Sequence, residues 1–177
     1  MWKNVLLLII VGFVLMLGCS GPTDQDRVSS ILRNTAQWAK TSDTEFQASM
    51  DAIGSLRAGR PMYQVADLLR QHYEQLDMST TQIARPYEYE AKEIKNAKAR
   101  GLMREGIKSI HLVYDQKRTF VREVQSSLSR GDGKGLIAAL KKYKEKNTET
   151  SGMVMGVGFF IEAKKALGMP PTLDEFK

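Results

Sequence analysis

Val28-Ser29-Ser30-Ile31-Leu32-Arg33-Asn34-Thr35-Ala36-Gln37-Trp38-Ala39 is the stretch that decides the fold class. Apolar or small residues recur in it at steps of three and four. The same phase continues through Ser42, Phe46, Ser49, Ile53 and Leu56. Such steps return to one face of an α-helix, whereas a strand returns to one face every second residue. The stretch predicts a long amphipathic helix, broadened by Ile31, Trp38 and Met50, with Asp24 or Asp26 as its cap. Its Ser and Thr members either admit a close neighbour or weaken the seam. Ala58-Gly59-Arg60-Pro61 ends it, and Pro61 suits the first turn of another helix, where an amide hydrogen has no partner to lose.

Two more stripes follow at the same spacing. One runs Met62, Val65, Leu69, His72, Leu76, Ser79, Ile83, Tyr87, Glu90, Ile94, Ala97, and the other Met103, Ile107, Ile110, Tyr114, Val121, Val124, Leu128. Their phases differ, and the change falls between Gly101 and Gly106. Either the chain breaks near Pro86 and the third helix is long, or it kinks there and reverses at the glycines. Ser129 to Gly135 is a turn. A last helical segment carries Leu136, Ile137, Leu140 and Tyr143, then a polar patch, then Met153 to Ala166. Gly168 and Pro170-Pro171 stand where a helix stop places them. With no convincing alternation at period two, the prediction is an all-α fold, an antiparallel bundle of about four long helices.

The chain has 177 residues, 26 Lys and Arg against 20 Asp and Glu, 2 His and 1 Cys. One cysteine excludes an internal disulfide, a Cys-based zinc site and covalently attached haem. Di-iron bundles need Glu-x-x-His pairs, but Leu69 and Lys108 stand three before His72 and His111. Both histidines read as structural. Gly131-Asp132-Gly133-Lys134-Gly135 lacks the spacing and preceding strand of a phosphate loop. Tyr87-Glu88-Tyr89-Glu90 reads as a partly exposed helix surface beside a Pro86 kink, where a ligand mouth could form. No catalytic constellation, cofactor site or metal site is predicted. The basic stretches, residues 92–100 and 141–146, read as solvated helix faces interspersed with acids, or as neighbours of anionic headgroups or envelope polymers.

Ser151 to Ile161 is the most unusual part of the helical region, about eleven residues without charge and too few to span a bilayer. Gly152 and Gly156 lie four apart on one face, so a neighbouring backbone can approach closely. They are candidate helix-packing positions, or else part of a contact surface for a partner or the wall of a hydrophobic pocket.

Before the helices, Lys3 precedes an apolar run from Val5 to Leu17 that ends Leu15-Met16-Leu17-Gly18-Cys19, after which the composition turns polar. Apolar stretch, Gly and then Cys resembles the lipobox of bacterial lipoproteins over residues 1–19, with Met16 where Leu is usual and Leu17 where a small residue is usual. The resemblance implies cleavage after residue 18, diacylglycerol on Cys19 and an acylated new amino terminus. It implies a cell-envelope location, held to the membrane through acyl chains on Cys19. Ser20 resembles outer-membrane cargo, facing the periplasm if the host is Gram-negative. The expected organisation is a signal peptide over 1–18, lipidated Cys19 with a short linker over 19–24, a helical bundle over 25–169, and a tail over 170–177. The expected function is non-enzymatic: an anchored domain that binds, scaffolds or inhibits an envelope protein partner, with no nucleic acid. The alternative is a periplasmic module holding a small apolar ligand between helices near the glycine segment.

Overall fold

The structure, a computed structural model, describes residues 21–146 and 149–176. The apolar run over 1–18 and Cys19 lie outside the described residues, as do 147 and 148 in the polar patch. Among the described residues the fold is all-α, with five α-helices: α1 (Asp24–Gly54), α2 (Met62–Glu88), α3 (Ala97–Ser129), α4 (Gly133–Lys146) and α5 (Glu149–Ala166). Short 3-10 turns occupy Ser55–Ala58, Glu90–Glu93 and Asp174–Phe176. The sequence predicts about four long helices; the last segment is described as α4 and α5, on either side of residues 147 and 148.

Local chemistry sets the helix ends. Thr23 caps α1: its hydroxyl oxygen accepts from the Asp26 amide at 3.2 Å, while the Asp26 carboxylate accepts from the Thr23 amide at 3.0 Å. Asp24, a predicted cap, works elsewhere. Its carboxylate accepts from the Lys95 and Asn96 amides at 2.9 and 2.7 Å and ties the start of α1 to the start of α3. Those backbone hydrogen bonds hold its carboxyl below the usual range. α2 runs through Pro86, which has no amide hydrogen for the Gln82 carbonyl one turn earlier, and ends two residues later. The break comes at residues 89–96, where Asn96 caps α3 by accepting from the Ala99 amide at 3.0 Å. Gly101 and Gly106 therefore lie inside α3.

α3 packs against each of the other four helices. α1 and α2 cover one side. α5 lies along its first half and α4 along its second, so the two short helices together take the place of one long one. The apolar residues form two cores. Val28, Ile31, Ile83, Ile94, Met103, Ile107, Ile110 and Phe160 belong to the first, near the start of α1. Val65, Leu69, Leu76, Phe120, Val121, Val124 and Leu128 belong to the second, at the other end. Residues 170–176 fold back rather than trail. Leu173 and Phe176 pack on the first core, and the Lys164 ammonium donates to the Thr172 carbonyl at 2.5 Å.

Gly156 is buried where α5 meets α3. A Cβ there would stand 2.6 Å from Ile110 Cδ1 and 3.2 Å from the Gly106 carbonyl oxygen. A Cβ on Gly106 would stand 2.4 Å from the Phe160 ring, and one on Gly152 2.5 Å from Val113 Cγ2. Three glycines thus let two backbones approach, each at a helix-propensity cost of roughly 1 kcal/mol. Gly158, on the same helix, faces open space. Gly156→Leu should therefore lower the melting temperature, since overpacking typically costs about 1–3 kcal/mol. Gly158→Ala should gain up to about 1 kcal/mol and raise it. A thermal melt of both variants checks the contrast, and a Gly156→Leu melt at or above wild type contradicts the seam.

Candidate functional site

Between the two apolar cores lies a belt of polar side chains. Ser42, Asp43 and Glu45 come from α1, His72, Asp77 and Ser79 from α2, Tyr114, Asp115, Lys117 and Arg118 from α3, and Glu149 from α5. They sit here because α1, α2 and α3 each interrupt their apolar stripe at the same level. The Ser42 hydroxyl donates to that of Ser79 at 2.7 Å, both fully buried, which satisfies polar groups that water cannot reach.

Lys117 is the centre of the belt. Its side chain is 4% exposed, and its ammonium stands 2.7 Å from Asp43 Oδ1 and 2.6 Å from Glu149 Oε1. The rings of Phe46 and Tyr114 lie 5.1 and 5.0 Å from the same nitrogen, close enough for cation–π attraction. The Tyr114 hydroxyl donates to Asp43 Oδ2 at 2.9 Å. Burial, and then the Asp43 charge, push the Tyr114 phenol far above its usual value. Beside this cluster, the Arg118 guanidinium bridges Asp77 at 2.7 Å and Asp115 at 2.5 Å.

The chemistry this arrangement permits is narrow. A lysine nucleophile must present a neutral amine to a substrate, but Lys117 is enclosed by two carboxylates and two rings. His72 Nδ1 lies 2.9 Å from Glu45 Oε2, so its ring pairs with a carboxylate rather than with a serine, threonine or thiol. His111 is half-buried on α3, where burial pushes its imidazole below the ordinary value against the opposing charge of Asp115. Among the described residues no group of three or more His, Cys, Asp or Glu could hold a metal ion. The belt clasps helices.

Two grooves flank it. One, of about 230 Å³ between α3 and α4, is floored by Phe120 and Tyr143, whose rings stack at 4.4 Å, and rimmed by Asp115, Glu123 and Lys142. The other, of about 440 Å³ between α1 and α2, is lined by Trp38, Gln82, Arg85, Pro86 and Tyr89. It lies where the sequence allowed a ligand mouth, and its lining is largely polar. Tyr87 turns inward beneath the Arg104 guanidinium at 5.1 Å, while Tyr89 is 63% exposed. The glycine segment offers no such space: Val113 fills the seam at Gly152, Ile110 at Gly156 and Phe160 at Gly106. Its outward side carries Val154 and Met155, 66% and 55% exposed.

Compared with known protein families, with curated proteins and with solved structures, the chain matches none. The sequence singled out none of the belt charges as a site. The signal was a gap in the third stripe. From Tyr114 the next apolar member is Val121, and the intervening position holds Lys117.

The belt and the groove beside it have a pH signature. The Tyr114 phenol is raised, and burial pushes the Tyr143 phenol up to about 12. In the folded state both keep protons that the unfolded chain gives up near pH 10, so their contribution is fully present below about pH 10 and is lost as pH climbs above it. Melting temperature should fall from about pH 9.5 to about pH 11.5. The Tyr114→Phe, Tyr143→Phe double variant should fall less steeply. Equal slopes in melts across that range would contradict the assignment.

Proposed function

We propose that this protein is a lipid-anchored cell-envelope domain that binds, scaffolds or inhibits an envelope protein partner without catalysing a reaction. The observation that carries the reading is the spacing between Cys19 and the first helix. The lone cysteine of the chain ends its long apolar run, and the capping box of α1 begins at Thr23. Residues 20–22 reach at most about 10 Å when extended, at roughly 3.3–3.6 Å per residue. Acyl chains on Cys19 would thus hold the start of α1 close to the headgroups. Among the described residues no helix is long and apolar enough to cross a membrane, so in this reading attachment falls to the lipid. Several acyl chains give a lasting hold where one gives a reversible one.

Two features favour a binding role over chemistry. The buried charges are engaged with one another, and α5 turns Val154 and Met155 outward while its glycines face α3. A host envelope with two membranes would place the domain at the outer one, facing the periplasm, by the identity of Ser20. The alternative, a small apolar ligand near the glycine segment, has little room in a seam that side chains already fill.

Labelled fatty acid should enter the wild-type chain in its bacterial host and be absent from Cys19→Ala, read by fluorography after gel separation. Equal labelling of the two would overturn the anchored reading.

A further inference from the structure

Residues 117–146 hold nine Lys or Arg against three Asp or Glu, an excess of six that equals the +6 of the whole chain. Lys117 and Arg118 are consumed in the belt, and Lys142 pairs with Glu123. Lys134, Lys141 and Lys144 are exposed on the outer side of α4, Lys141 in a solvent-exposed pair with Glu145 at 3.8 Å. The inner side of that helix is spoken for: Leu136, Ala139 and Tyr143 join the second core.

The outer side is not uniformly polar. Ile137 is 67% exposed and Leu140 38% exposed. Steps of three, four and three connect Lys134, Ile137, Lys141 and Lys144, so the isoleucine stands among the three lysines on one helical face. Leu140, three after Ile137, widens the apolar strip. Lysine stems lie along apolar surface while their ammonium groups reach outward. An apolar strip inside a ring of lysines is the pattern of a helix that rests at the boundary between headgroups and acyl chains.

We propose that the outer face of α4 is a docking surface for an anionic lipid bilayer, with Ile137 and Leu140 entering the headgroup boundary and Lys134, Lys141 and Lys144 meeting lipid phosphates. Charge complementarity alone would serve an acidic polymer equally well. Two exposed aliphatic side chains at the centre of the patch favour lipid, because a soluble polyanion gains nothing from them. The inference rests on α4 and not on acylation of Cys19. It complements that reading, since a single membrane attachment strengthened by a basic patch holds more firmly than either alone. α4 begins at the end of the bundle opposite the start of α1, about 45 Å away at roughly 1.5 Å per helical residue. A bundle lying flat brings both to one bilayer.

The test is lysine acetylation of the full chain in vesicles, read residue by residue by mass spectrometry. One vesicle set contains phosphatidylglycerol mixed into phosphatidylcholine and the other phosphatidylcholine alone. Labelling at Lys134, Lys141 and Lys144 should slow by roughly threefold or more in the anionic vesicles, and added salt should restore it. Ile137→Ser, a change on an exposed site, should weaken that protection at unchanged helicity. Equal labelling in the two vesicle sets overturns the proposal. So does protection by soluble polyphosphate that matches the anionic vesicles and is indifferent to Ile137→Ser, which would assign the face to an acidic polymer.

Discussion

A buried ammonium must have its charge answered, and at Lys117 that requirement ties three helices together. Asp43 from α1 and Glu149 from α5 converge on a nitrogen carried by α3. Removing an ion from water costs several kcal/mol, which is offset only by close partners in good geometry. The position of each helix at this level is thereby constrained: α1 must present Asp43, and α5 must begin beside the belt so that Glu149 reaches it. Tyr114 adds a hydrogen bond to the same aspartate and leaves its second oxygen satisfied.

The glycine seam and the belt divide the work along α3. In its first half, Gly106, Gly152 and Gly156 bring α5 close enough for Ile110 and Phe160 to fill the space beside the backbones. Dispersion contacts at short range stabilise that half. In its second half α4 packs less closely, and the rings of Phe46, Phe120 and Tyr143 bridge α1, α3 and α4. α4 is consequently a helix with much of its surface free, and it carries five lysines against one glutamate. The proposed anchor at Cys19 would lie near one end of the bundle, and the basic, partly apolar face of α4 lies at the other.

Periodicity carried the helices. The stripes from Val28 to Ile53 and from Met62 to Tyr87 fall inside α1 and α2, with Leu56 in the turn that follows α1, because burial of one face every three to four residues is the helical period. Pro86 was ambiguous for a physical reason: a proline can kink a helix or end it, and here α2 runs only two residues past it, while Asn96 caps the start of α3. The last helical segment, with its polar patch, is described as α4 and α5, and Leu136, Tyr143 and Met153 on them pack on the apolar cores. The belt was the least legible part. Asp43, Lys117 and Glu149 are distant in sequence, and each alone has the appearance of a solvated charge. Only the third stripe, with a lysine where an apolar residue was due, hinted at it.

Unequal removal of its members tests most directly whether the Lys117 cluster clasps the bundle. Asp43 and Glu149 are 53% and 41% exposed, whereas Lys117 is 4% exposed. Asp43→Ala strands the buried ammonium with one carboxylate, a kind of change that can cost about 3–5 kcal/mol. Lys117→Met leaves an apolar chain of similar length between two rings, and both carboxylates can turn to water. Denaturant unfolding should show Asp43→Ala as the more destabilised of the two. A Lys117→Met protein that loses as much stability as Asp43→Ala, or that keeps its stability but loses the phenotype the gene complements, would contradict the clasp.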